Sequence, residues 1–239
     1  MNAERTRRIS SHFAPGAGTP PNPSLCETCV DILGGGAGIS IMSGHNSGPV
    51  CSSSERVRQL EDLQFSLGEG PCHDAYTTDA TITEPDIANT TNSRWPSYTP
   101  LAIELGACAV FAFPLHVGVE TVGVLTLYQD TVGMLTDEQN ADGRELARML
   151  PALMSAVQAR APQPLLAGDL IDAEAHRAEV HQAAGVTAVQ LGIDVDDALI
   201  RIRAHAYAIS KTVAHVSQEI LAHRLRLGED GSLEHGVSP

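Results

Sequence analysis

The stretch "ACAVFAFPLHV" (107–117), followed after two residues by "ETVGVLTLYQD" (120–130), constrains the fold of this chain more than any other. Both segments are rich in the aliphatic, β-branched and aromatic residues that strands favour, and only Gly118 and Val119 lie between them. Strands joined so tightly run antiparallel, because a parallel pair needs a crossover of a dozen or more residues. The rest of the N-terminal part supplies flanking layers. "LCETCVDIL" (25–33) has apolar residues at helical spacing. "AGISIM" (37–42) and "PVCSS" (49–53) read as a second hairpin around the loop "SGHNSG". "SERVRQLEDLQFSLG" (54–68) carries Val57, Leu60 and Leu63 at helical spacing, and "GEGPCHDAYTT" opens a short helix after its Gly-Pro pair. "ATITEPD" predicts a strand ending at Pro85, and "RWPSYTPLAIELG" a helix closed by Gly106. Thr136 with Gln139 forms a capping box for a last helix, which Pro151 should kink or restart. Helix, hairpin, helix, strand, helix, hairpin, helix predicts an α+β fold, an antiparallel sheet with helices packed against it.

The wording of this part is also specific. "LGEGPC", "RWPSY", "AVFAFPL" and "VGVLTLYQD", in that order, resemble the GAF domains of actinobacterial regulators, with the resemblance covering about residues 25–160. It implies a sensory and dimerising module that encloses a small-molecule pocket between sheet and helices. Cys72, Trp95 and Phe111 are the candidate pocket residues, and the ligand is unspecified. Leu146, Leu150, Leu153 and Val157 form an apolar seam that, with the helix at 25–33, predicts a homodimer interface.

The proline-rich "ARAPQPLLAGDL" divides the chain, with residues 161–169 expected as linker. Three helical stretches follow in 170–227. The first ends at Gly192. The second has Asp194 as N-cap and Asp197 at the third helical position, where carboxylates meet unpaired backbone amides. The third starts near Thr212, with Val213, Val216, Ile220 and Leu227 on its buried stripe.

Charge is uneven in this unit. The formal net charge of the whole chain is −14, which argues against a nonspecific nucleic-acid coat. Residues 199–227 nevertheless carry Arg201, Arg203, Lys211, Arg224 and Arg226 against Glu219 alone. In sequence pattern, "QAAG", an Asp-rich turn and "DALIRIRAHA" resemble the ANTAR domain, a three-helix RNA-binding module of bacterial antiterminators. Ala183, Gly185, Ala198, Arg203 and Ala206 fall on the family pattern; Ile202 stands where Leu is usual and Ser217 where Ala is usual. The resemblance implies binding to tandem RNA hairpins, acting on the transcription machinery indirectly. Arg201, Arg203, Lys211, Arg224 and Arg226 are then RNA-binding candidates, with Tyr207 placed to stack on a loop base. The small residues 183, 185, 198 and 206 are expected to let helices approach closely. A GAF unit followed by an ANTAR unit is a recurrent pairing.

The remaining signals are weaker. Residues 1–24 and 228–239 read as flexible tails. Five cysteines at scattered spacing fit free thiols better than a disulfide framework. The lone C-x-x-C of Cys26 and Cys29 lacks the partners of a zinc site, so no metal is expected. Cys72, His73 and Asp74 are consecutive, and neighbours on a helix point in different directions, so no catalytic residue is assigned. No apolar run is long enough to span a membrane and no secretory signal is present, which predicts a cytoplasmic protein without membrane contact; no cofactor is assigned, and haem, a cyclic nucleotide or no ligand at all stand open for the GAF unit. Two alternatives stand beside the RNA-binding regulator. One is a ligand-responsive DNA-binding regulator; the other is a thiol-dependent redox enzyme on a GAF fold.

Overall fold

The computed structural model describes residues 2–13, 25–42, 48–89, 94–160, 167–209, 211–228 and 233–235. Five strands form one antiparallel sheet: β1 (Gly36–Ile41), β2 (Gly48–Ser52), β3 (Ile82–Glu84), β4 (Ala109–Val117) and β5 (Glu120–Gln129), in the order β2-β1-β5-β4-β3. The 107–130 hairpin supplies β4 and β5, with Phe111 opposite Leu127 and Val110 opposite Tyr128.

Because successive strand residues point to opposite faces, this register sorts the side chains into two cores. Phe111, Phe113, Leu115, Leu125, Leu127 and Ile39 share one core with α2 (Leu25–Leu33) and α6 (Asp137–Arg160). Val110, Ala112, Val124 and Tyr128 share the other with α3 (Glu55–Leu67), α4 (Pro71–Thr78) and α5 (Tyr98–Glu104). The sheet is therefore covered on both faces.

Local chemistry fixes where the helices begin and end. Ser54 caps α3 by accepting from the Val57 amide at 3.3 Å, and Gly68, at φ 65°, closes it in the left-handed conformation. The Thr136 hydroxyl accepts from the Gln139 amide at 3.1 Å while the Gln139 side chain takes the Thr136 amide at 3.0 Å, the reciprocal box the sequence predicts. The other half of the Gln139 amide donates to the Leu33 carbonyl at 2.9 Å, tying α6 to α2. α6 runs through Pro151 as one helix and is not restarted there.

Several expectations need correction. The N-terminal tail contains a helix, α1 (Asn2–His12), whose Ile9 is fully buried in the α2–α6 core. Arg5 and Arg8 close on the buried Asp142 of α6 at 2.8 and 2.6 Å. Residues 14–24 lie outside the described residues. Cys26 and Cys51 form a disulfide, with Cα atoms 6.1 Å apart, so the scattered cysteines are not all free. Packing of α2 beside β2 brings together residues 25 positions apart, which spacing alone does not reveal. Leu146 and Leu150 are fully buried in the chain's own core, so half of the expected dimer seam is already occupied; Leu153 is only partly buried against that core, and the side chain of Val157 lies outside the described residues.

In the C-terminal part, α7 (Ala167–Leu191), α8 (Val195–Ala208) and α9 (Val213–Leu221) pack on one another. α7 thus starts inside the expected linker, whose residues 161–166 lie outside the described ones. Gly192, at φ 65°, ends it. Asp194 caps α8 through the Asp197 amide (2.8 Å), and Thr212 caps α9 through the His215 amide (3.1 Å). Within the expected C-terminal tail, β7 (Leu233–His235) pairs with β6 (Leu225–Leu227) as a small antiparallel ribbon. The helical unit is not free-standing: α7 touches β2 and α8 touches α3.

Candidate functional site

The polar heart of the sheet unit lies between α3 and the β1–β5 face. Glu61 is fully buried there, and a Cβ at Gly38 would lie 2.7 Å from its carboxyl carbon, so only glycine leaves room at that point of β1. Ser40 donates to Glu61 Oε2 at 2.5 Å and Tyr128 to Oε1 at 2.6 Å. Burial pushes the Glu61 carboxyl pKa up, while these hydroxyls pull it down. Gln64 donates to the Tyr128 hydroxyl at 2.6 Å and accepts the Cys72 amide at 2.7 Å. Burial first, and the neighbouring Glu61 second, push the Cys72 thiol well above its ordinary range, so it is held as a neutral thiol.

The motif residues each acquire a structural task here. In "LGEGPC", Gly68 ends α3 and Pro71 opens α4. Glu69 accepts the Ser97 and Tyr98 amides at 2.6 and 2.7 Å, serving the start of α5. Gly70 passes so close to Gln64 that a Cβ would sit 2.5 Å from its Oε1. In "RWPSY", Arg94 and the Trp95 indole both donate to Asp74 Oδ2, at 2.6 and 3.1 Å. Trp95 meets Tyr98 edge-on, with ring centroids 6.1 Å apart. Of the expected pocket residues, Cys72 and Trp95 share this side of the sheet. Phe111 does not: strand alternation places it in the opposite core. Cys72 and Trp95 are both buried in the core on this side of the sheet.

A cleft of about 570 Å³ opens elsewhere, at the start of α3, lined by Glu27, Asp31, Gly36, Ser54, Arg56 and Asp130 among others. None of the three expected pocket residues lines it. His73 is exposed while Asp74 is bound to Arg94 and Trp95, so the consecutive Cys72, His73 and Asp74 are not brought together. Cys29 is buried and its thiol is pushed up to about 12 by desolvation. Among the described residues, no group of three or more His, Cys, Asp or Glu could hold a metal ion.

In the helical unit, Ala183, Ala198 and Ala206 are fully buried with Ile202, so three of the four small residues stand where helices meet. Gly185 does not: a Cβ added there meets nothing within 4 Å, and close packing does not require glycine at that position. Ser217, in the position where Ala was usual, is buried. On α8, Ile200, Arg203 and Tyr207 follow one another at three and four residues and so share a stripe. Ile200 is 59% exposed and Tyr207 55%. Arg203 between them is largely covered. Its guanidinium lies 5.1 Å from the centroid of the Phe65 ring, on α3. Burial lowers its pKa, the field of Asp196 opposing, and its buried Nε meets no acceptor among the described residues.

The other cations differ in their surroundings. Lys211 is exposed just beyond α8, and Arg226 is exposed on β6. Arg201 is half-buried. Arg224 is paired twofold with Glu219, at 2.7 and 3.0 Å, so its charge is already met. The connector between α8 and α9 spans four residues, the length found in helix-turn-helix units, but carries no glycine.

A scan against protein-family models finds no match, and neither does a search of curated proteins. Solved structures do resemble the chain. The GAF domain of a phosphoenolpyruvate-protein phosphotransferase from Coxiella burnetii has 16% identity and a TM-score of 0.47, covering 67% of this chain and 96% of that one. The GAF domain of the Acinetobacter phosphoenolpyruvate-protein phosphotransferase has 11% identity and a TM-score of 0.46, with 69% and 98% covered. A free methionine-R-sulfoxide reductase from Thermoplasma acidophilum has 14% identity and a TM-score of 0.44, with 64% and 96% covered.

Proposed function

We propose that this chain is an RNA-binding regulator of transcription antitermination, with a GAF-type sensory unit and an ANTAR-type helical unit that binds tandem RNA hairpins. The observation that carries the reading is the α8 stripe. An exposed tyrosine and an exposed isoleucine flank an arginine on one face, with Lys211 just beyond the helix. The opposite face of the same helix is spent on Ala198, Ile202 and Ala206. RNA loops expose unstacked bases that an aromatic ring can stack on, and guanidinium and ammonium groups meet the phosphates. The order of the GAF-like motifs and the five-stranded antiparallel sheet support the sensory assignment.

The protein acts by binding rather than catalysis. The thiol-enzyme alternative gains nothing from Cys72, which is buried and neutral. Two hairpins per target call for two copies of the chain, meeting on a surface other than the Leu146–Leu150 ridge. No helix among the described residues is long and apolar enough to cross a membrane.

The DNA-binding alternative is favoured by one feature, the four-residue connector before α9. Competition separates the two readings. Labelled tandem-hairpin RNA is challenged with unlabelled hairpin RNA or duplex DNA at equal nucleotide concentration. Displacement by RNA at far lower concentration supports the proposal; equal displacement, or a preference for duplex DNA, refutes it. Removing an RNA-facing cation such as Lys211 should also reduce the slope of log affinity against log salt by about one or slightly less.

A further inference from the structure

Arg203 is a poorly satisfied charge: burial lowers its pKa, and its buried Nε meets no acceptor among the described residues. The field of Asp196 offsets part of the cost of burial, and an aromatic face lies over the guanidinium. The contact does not belong to the helical unit alone. Phe65 sits on α3 of the sheet unit, yet it packs against the core formed by α7, α8 and α9. Gly68, the residue that ends α3, approaches so closely that a Cβ on it would lie 3.7 Å from Arg203 Nη1. The sheet unit therefore covers the middle of the one stripe of α8 whose ends, Ile200 and Tyr207, stay open.

We propose that the Phe65–Arg203 contact is an autoinhibitory latch: α3 masks the central arginine of the RNA-binding stripe, and full RNA affinity requires α3 to release it. This inference rests on the RNA-binding reading above. Its logic is a competition for one guanidinium. The Phe65 ring offers a cation–π contact and leaves Nε unmet, whereas a phosphate offers charge-assisted, twofold hydrogen bonds. RNA is thus the better partner, but it reaches Arg203 only when the ring moves away. The helix that carries the ring is also the one tied to the polar heart. Glu61 and Gln64, four residues and one residue before Phe65, hold α3 to Ser40, Tyr128 and the Cys72 amide. A change that re-seats those side chains carries Phe65 with it.

The test uses the full chain. A latch closed in nine molecules of ten lowers apparent affinity about tenfold, so Phe65→Ala should bind tandem-hairpin RNA up to about tenfold more tightly than wild type. Arg203→Ala in the Phe65→Ala background should remove that gain. Phe65→Leu keeps an apolar side chain and removes the ring face; it should show a gain in the same direction and provides the comparison if Phe65→Ala fails to fold. Phenylglyoxal labelling, mapped by mass spectrometry without RNA, should modify Arg203 slowly in wild type and faster in the folded Phe65 variant. Wild-type preference for hairpin RNA with equal or weaker affinity in the folded Phe65 variant overturns the latch and leaves the RNA reading standing. No preference for hairpin RNA over duplex DNA in any variant overturns both.

Discussion

Glu61 and Arg203 are both charged residues taken out of water, and the molecule treats them in opposite ways. Glu61 lies inside one unit, with a glycine leaving room for it and two hydroxyls on its oxygens. Arg203 lies between two units, with a ring over its face and an Nε that meets no acceptor among the described residues. A polar group enclosed with all its partners fixes the structure around it; one enclosed without them marks a contact that can be exchanged for a better one. Phe65 and Glu61 stand four residues apart on α3, so the settled site and the unsettled one share a single helix.

Substitution should break this contrast most strongly at Glu61. Glu61→Ala opens a cavity and strands the Ser40 and Tyr128 hydroxyls, which should lower stability by about 3 kcal/mol, read by urea unfolding. Arg203→Met exchanges a poorly met charge for an apolar chain of similar length. It should change stability by less than about 1 kcal/mol, and a gain is as acceptable as no change. A loss at Arg203 as large as that at Glu61 would remove the distinction.

The pH dependence sharpens it further. Burial raises the Glu61 pKa above its unfolded value, so the folded protein holds that proton more tightly. Its contribution to stability is therefore full below the ordinary glutamate range and is lost as pH rises through the folded pKa. Glu55, Glu145 and Glu219 are shifted the other way by arginine partners, so the test is the difference between wild type and Glu61→Gln. Glu61→Gln should lose stability less steeply with rising pH than wild type does. Parallel curves for the two would mean that Glu61 titrates as it does in the unfolded chain.

The smallest effect separates two cations of the helical unit. Lys211→Ala should reduce the salt dependence of RNA binding more than Arg224→Ala, because Glu219 already offsets Arg224. Equal reductions in the two variants would show that the Glu219 pair opens on binding.

What was legible in the sequence was whatever is decided locally. The 107–130 hairpin, the Thr136–Gln139 box, Gly192 as a helix end and the Asp194 cap all depend on residues within a few positions of one another. The misreadings depend on distant partners. α1 is polar apart from Ala3 and Ile9, and its anchors are ion pairs to Asp142, more than 130 residues away. The Cys26–Cys51 bond needs the α2 packing that brings it about. Strand parity fixes that Val110 and Phe111 point apart but not which of them faces α4, so the sequence alone does not separate Phe111 from Cys72 and Trp95. Arg203 stands out in the sequence by its place in the motif, but the ring that covers it does not, because Phe65 belongs to the other half of the chain.

The docking of α1 has a practical side. An engineer trimming the chain by eye would cut near residue 24, where the prolines and glycines end and the familiar pattern begins. That cut discards Ile9 along with Arg5 and Arg8, uncovers greasy surface on α2 and α6, and leaves Asp142 sealed in without a cation. The shortened product would be sticky, and poor recovery from expression would say more about the missing first dozen residues than about the sheet unit they cover.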